Sequence, residues 1–179
     1  LIPTGQARPR LWVRIFLNRF FHQKGKGVII RRWVRMDVLP FNPFSIGDHS
    51  MIEDFSTVNN GVGAVHIGAN SLVGLGNVII GPVTIGNDVI LAQHIVASGL
   101  NHNYQDVTQP IHKQGVGVAP IVIGDECWIG ANAVIVNFPI GLESDFRGVV
   151  DLIGTFLDEL DARIDGIVAA REGGDGPGL

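Results

Sequence analysis

Three features of the sequence predict a parallel β-helix: a six-residue aliphatic beat, a small residue four positions after most beat residues, and glycine directly after many. The beat runs Ile46, Ile52, Val58, then Ile67, Val73, Ile79, Ile85, Leu91, then Ile123, Ile129, Ile135. A period of six fits neither a 3.6-residue helix nor the two-residue alternation of an ordinary strand. It fits a solenoid in which each unit makes one flat face and three units make one coil. About four coils are expected. The open ends of such a stack need covering, so a capping helix is expected at each end.

Each position of the repeat has a physical task. The aliphatic residue points inward and stacks on its equivalent one coil away. The fifth position lies near a tight corner and is mostly small: Ser50, Ser56, Ser71, Val83, Val89, Cys127, Ala133. The glycines after the beat residues (Gly47, Gly68, Gly74, Gly86, Gly124, Gly130) are expected to supply backbone freedom at the turn. Asn77 falls at an inward fifth position and is expected to ladder with its neighbours.

The composition agrees with a packed core. Of 179 residues, 46% are hydrophobic and 17% charged, and the 24 glycines serve the turns of the repeat. The single cysteine, Cys127, excludes an intrachain disulfide and is read as core packing. No apolar run is long enough to span a bilayer, and no export signal is recognised. A cytoplasmic location is expected, at the inner face of the membrane if the N-terminus binds lipid. The net charge of -4 hides an asymmetry. Nine Arg and Lys residues, Arg8 to Arg35, precede the first acid, Asp37. Such polarity points to a partner surface; no nucleic-acid partner is expected.

Along the chain, residues 1–36 read as a basic helix and lead-in. The helix is expected over 9–22, with Trp12, Ile15, Phe16, Arg19 and Phe20 as its stripe. It serves either as a cap over the first coil or as an interfacial membrane helix. Residues 37–141 are the β-helix. The step from Val58 to Ile67 is nine, so about three residues around Gly61–Ala64 bulge out. The beat stops over 97–120, an excursion loop, and long irregular loops in compact domains are usually functional. Residues 142–172 show apolar spacing by threes and fours, an amphipathic helix with Ser144 as N-cap and Gly173 as stop. The tail 173–179 is expected to be disordered.

The repeat, with SGLNHNYQD in the loop and IVIGDECWIGANAVI after it, resembles the hexapeptide-repeat acyltransferases. The resemblance covers about Arg35 to Val136 and is to the maltose, galactoside and xenobiotic O-acetyltransferase group and its cell-envelope sugar acetyltransferase relatives. It implies a left-handed coil, a homotrimer with active sites between subunits, acetyl-CoA as acyl donor, and a sugar or envelope-glycan hydroxyl as acceptor. The C-terminus departs: family members continue with a segment resembling GAGSVVTKDVP, whereas this chain has NFPIGLESDFRGVVDLIG. That stretch resembles a piece of the translation GTPase elongation factor G, and no phosphate-binding GxxxxGK[ST] occurs.

Acetyl transfer to a hydroxyl needs a base to take the proton as the oxygen attacks. Histidine suits this, with an unperturbed pKa near 6.5. His102 occupies the family's catalytic histidine position. Asn101 and Asn103 flank it and are candidates to fix its tautomer or bind substrate. Tyr104 is a candidate to stack on a sugar ring, and Asn60 to face the acceptor. Trp128, Gly130 and Ala131 in WIGA match positions that the family sets beside the pantetheine arm and thioester. His112 is substrate-facing or incidental; His22, His49, His66 and His94 are read as structural. No metal is expected. Two rivals stand beside this reading: a non-enzymatic trimeric scaffold that has lost cofactor binding, and a zinc enzyme of the γ-class carbonic anhydrase type, which needs three converging histidines.

Overall fold

The computed structural model describes residues 1–4 and 7–136, and over these the six-residue beat becomes a three-faced parallel β-helix. The first coil comprises β1 (His22–Lys24), β2 (Ile29–Ile30) and β3 (Arg35–Asp37), and the second β4 (Phe44–Ile46), β5 (Met51–Ile52) and β6 (Thr57–Asn59). The third comprises β7 (Val65–Ile67), β8 (Leu72–Val73) and β9 (Val78–Ile80), and the fourth β10 (Val83–Ile85), β11 (Ile90–Leu91) and β12 (Val96–Ser98). A hairpin of β13 (Leu100–His102) and β14 (Val116–Val118) follows, and then the fifth coil, β15 (Ile121–Ile123), β16 (Trp128–Ile129) and β17 (Val134–Val136). The first face stacks as β1-β4-β7-β10-β15, the second as β2-β5-β8-β11-β16, and the third as β3-β6-β9-β12-β17. From β1 the chain returns to its first face four times.

Residues 22–37 form a coil of their own, although the sequence reading placed 1–36 in the helix and lead-in. Lys24, Ile30 and Met36 register with Ile46, Ile52 and Val58, so the six-residue beat continues through them. It is disguised because a lysine holds the first aliphatic place. The insertions are legible in the registers. Val65 and Val83 pair on consecutive coils 18 residues apart, three whole units. Phe44 and Val65 pair 21 apart, which accounts for the three-residue bulge.

The beat residues form the core. Ile46, Ile52, Val58, Val73, Ile79, Ile85, Leu91 and Ala97 are all essentially solvent-free. The fifth positions do more than fit a corner. Ser50 Oγ donates to the Gly68 carbonyl and accepts from the Ser71 N–H. Ser71 Oγ in turn donates to the Gly86 carbonyl and accepts from the Val89 N–H. At the next corner Ser56 Oγ donates to Gly74 and accepts from Asn77, whose Oδ1 accepts from Ile95. These side chains satisfy buried turn amides that would otherwise be costly. Cys127, half-buried, packs against the core.

The role expected of the glycines is corrected. The left-handed backbone falls two residues later, at His49, Phe55, Asn70, Gly76, Asp88, His94, Glu126 and Asn132. Asn, Asp, His and Gly tolerate that region best, and they fill six of these eight places. Gly47, Gly68 and Gly86 serve close approach instead. A Cβ on Gly47 would lie 2.5 Å from the Ala69 nitrogen, and one on Gly68 2.7 Å from the Asn87 nitrogen. The coils stack closely at this corner because these residues carry no side chain.

The N-terminal helix is shorter than expected and turned differently. A π-helical stretch, Val13–Leu17, runs into an α-helical turn, Asn18–Phe21. Asn18 Nδ2 donates to the Val38 carbonyl, which ties the helix to the first coil. The aromatic residues of the predicted stripe do not face that coil, whereas Ile15 and Arg19 line the open space beside it. Trp12, Ile15, Phe16 and Phe20 are exposed, Phe20 by 77%, while Val13 is buried. No helix among the described residues is long and apolar enough to cross a membrane. The expected C-terminal helix at 142–172, with Ser144 and Gly173, and the tail 173–179 lie outside the described residues.

Candidate active site

The excursion loop is an ordered hairpin. β13 and β14 pair antiparallel, with Asn101 opposite Gly117 and His102 opposite Val116. The Asn103 N–H donates to the Gly115 carbonyl, and its Nδ2 to the Gln114 carbonyl. Gly115 adopts a left-handed φ of 78°, which closes the turn. Gln114 staples the rest of the loop: Nε2 donates to the Asp106 and Gln109 carbonyls, and Oε1 accepts from the Asp106 N–H. The Asp106 carboxylate accepts from the Thr108 side chain and backbone and from Gln109. Those bonds, the Thr108 hydroxyl first, hold its pKa below the ordinary aspartate range. The sequence reading missed Gln114 and Asp106; the only signal was polar residues at both ends of the loop.

His102 stands exposed at the end of β13, and no described residue hydrogen-bonds its ring. Tyr104 beside it is 58% exposed. Asn101 and Asn103 are half-buried, and Asn103 spends its amide N–H₂ on the loop. The hairpin leaves the coil between the third face (β12) and the first (β15). Trp128 lies on the second face, 72% exposed, with its ring edge 4.0 Å from where a Gly130 Cβ would be. Gly130 and Ala131 occupy the corner between the second and third faces. One chain therefore displays the candidate base and the candidate cofactor residues at different corners of the prism.

Asn60 departs from the expectation that it faces the acceptor. It is fully buried, its Oδ1 accepts from the Leu39 N–H, and its Nδ2 donates to the Leu39 and Asn42 carbonyls. Asn42 Nδ2 returns a bond to the Asn60 carbonyl. Asn60 thus pins the insertion after β3 to the bulge after β6. Asn60→Ala should cost about 2 kcal/mol, because it strands a buried amide N–H. The shift of the urea midpoint checks this.

The other histidines have local roles. His49 and His94 hold left-handed corners, with Nδ1 2.6 and 2.7 Å from the Cβ positions of Gly27 and Gly76. His66 Nδ1 bonds Ser45 Oγ at 2.8 Å on the first face. His112 sits in a single 3-10 turn, Ile111–Lys113. Among the described residues no three His, Cys, Asp or Glu side chains gather as a metal site.

The repeats match the family model described as hexapeptide repeat of succinyl-transferase, over residues 64–93 and 120–145. The chain is a hexapeptide-repeat β-helix. A relative from Mycobacterium tuberculosis, named "Probable acetyltransferase Rv3034c", is 30% identical over 115 residues. That match covers 63% of this chain, and the chain spans only 37% of the relative's length. Among solved structures, the fold resembles AntD, an N-acyltransferase from Bacillus cereus. A mutant AntD in complex with dTDP-4-amino-4,6-dideoxyglucose and coenzyme A gives a TM-score of 0.56 at 20% identity, covering 69% of this chain and 68% of that one. Another, with dTDP and coenzyme A, gives 0.55 at 18% identity, covering 80% and 95%. The repeats and fold are thus shared with proteins named as acyltransferases.

Proposed function

We propose that this chain is an acyltransferase that moves an acetyl group from acetyl-CoA to a sugar hydroxyl, with His102 as general base. The observation that carries the reading is the exposed imidazole on a braced hairpin, projecting from a coil whose repeats match those of acyltransferases. The neutral ring takes the hydroxyl proton as the oxygen attacks the thioester carbonyl. The tetrahedral oxyanion is met by backbone N–H donors, and collapse expels CoA, whose sulfur recovers the proton from the imidazolium. The ester bond forms as the thioester breaks, and no further reactant is needed. Trp128, Gly130 and Ala131 flank the pantetheine arm in this scheme, and Tyr104 the sugar.

The corner placement supports a closed homotrimer. A cyclic neighbour would bring its own last coil against the hairpin, uniting His102 with Trp128 and Ala131. The second face favours such packing: its outward residues Ile29, Met51, Leu72, Ile90 and Trp128 stack in one apolar column. Ile29, Ile90 and Trp128 are 51%, 47% and 72% exposed. Ile90→Arg should leave the fold intact and convert a trimer to monomer in light scattering. Activity should fall with it. A trimer that survives the substitution excludes this face.

A second reading, transfer to an amine, is favoured by the AntD complex with an amino sugar. Incubation with radiolabelled acetyl-CoA and a panel of sugars and amino sugars tests both. Mild base removes the label from an ester and leaves an amide intact. No labelled product with either class of acceptor sinks the proposal.

A further inference from the structure

The end of the β-helix that opens on the first coil holds an open cavity of about 570 Å³, within the range of small-molecule sites. Among the described residues no further coil stacks on the outer side of the first coil. Ile30 and Met36 are half-exposed, where their equivalents Ile52 and Val58 are fully buried. The N-terminal helix spans this end but turns its aromatic stripe outward, so among the described residues nothing covers the apolar wall. Leu11, Ile15, Ile30, Met36, Val38 and Phe44 make that wall. Arg14, Arg19 and Lys24 also line it, and no acid among the described residues does.

Two polar side chains in the lining are left wanting. Both ring nitrogens of His22 and Oδ1 of Asn18 are buried with no partner among the described residues. Such groups are ordinarily satisfied, and orphaned ones need an explanation. Burial holds the His22 imidazole below the usual histidine range. A neutral ring offers one N–H donor and one acceptor.

We propose that this cavity binds an amphipathic anion, a single alkyl chain ending in a carboxylate or phosphate. The chain lies on the apolar wall. The head sits among Arg14, Arg19 and Lys24, where His22 supplies a further donor. The ligand comes as a free monomer or as a lipid drawn from a bilayer. The exposed Trp12, Phe16 and Phe20 beside the cavity suit the second source, since basic amphipathic helices of this kind lie on anionic surfaces. The site is separate from His102: three strand spacings, roughly 14 Å, divide the first coil from the fourth. It does not rest on the acyl-transfer reading.

Titration of the full chain with laurate and dodecyl phosphate below their micelle concentrations, and with dodecanol as the uncharged control, tests this. Expected is one anion bound per chain, with dodecanol at least about tenfold weaker. Arg14 and Arg19 are exposed, so the double variant Arg14→Glu/Arg19→Glu should fold and lose at least about tenfold in affinity. Ile30→Trp, which fills the cavity from the coil side, should compete with the ligand without changing charge. Phosphatidylglycerol vesicles form the second arm. Cavity-dependent vesicle binding without monomer binding still supports the site and assigns the ligand to the bilayer. Binding that is equal for dodecanol, or unchanged in both variants, overturns the proposal. So does no binding in either arm, which would mean that another part of the chain or a second copy fills the space.

Discussion

Replacing His102 by alanine is expected to lower kcat by about 10²–10⁴-fold, the usual contribution of a general base. Acetyl-CoA affinity should change little, because the imidazole acts on the acceptor hydroxyl in the transition state and not on the bound cofactor. Stability should be unaffected. His102 is exposed on a hairpin whose order comes from Gln114, Asp106 and Asn103, not from the imidazole. Near-normal turnover in the variant would show that another group takes the proton, with His112 the next to test. Loss of trimer alone would show a structural role for this position.

Gly68→Val is expected to destabilise the fold by about 3 kcal/mol or more, read as a fall in the urea midpoint. Overpacking usually costs about 1–3 kcal/mol because neighbours shift or leave their rotamers. Here the obstructing atoms are backbone: the Gly86 carbonyl carbon and oxygen and the Asn87 nitrogen. Backbone cannot rotate aside, so adjacent coils must separate at that corner. The control is built into the repeat. Gly124 holds the same place in the fifth coil, and a Cβ there meets no described residue within 4 Å. Gly124→Val should stay within about 0.5 kcal/mol of wild type. Equal costs at the two positions would show that glycine is needed for conformation and not for approach.

That contrast shows how the fold is written in the sequence. The aliphatic period is legible because each beat residue faces the core in every coil. The function of the adjacent glycine is not, since it depends on the coil above. Lys24 concealed the first coil for a similar reason: on the outermost described coil the inward place need not be apolar. The serine ladder was visible only as small residues, although Ser50, Ser56 and Ser71 are there for their hydroxyls as well as their size. Asn60 reads from sequence as a loop-edge polar residue. Its role emerges only when two insertions, 21 residues apart, meet across a corner. His102, the proposed base, was singled out through the family motif. The brace that holds its hairpin was not, because side-chain to backbone bonds within an irregular loop leave no period.

The central claim is that this chain binds an acyl-CoA and passes its acyl group to a sugar through His102. Calorimetric titration of the full chain with acetyl-CoA, followed by label transfer from the same complex to a sugar panel, tests it most directly. Expected are saturable binding by both wild type and His102→Ala, and transfer by wild type with a loss of about 10²–10⁴-fold in the variant. A wild-type trimer that shows no heat of binding and no label transfer would contradict it, leaving a β-helix that serves as a scaffold.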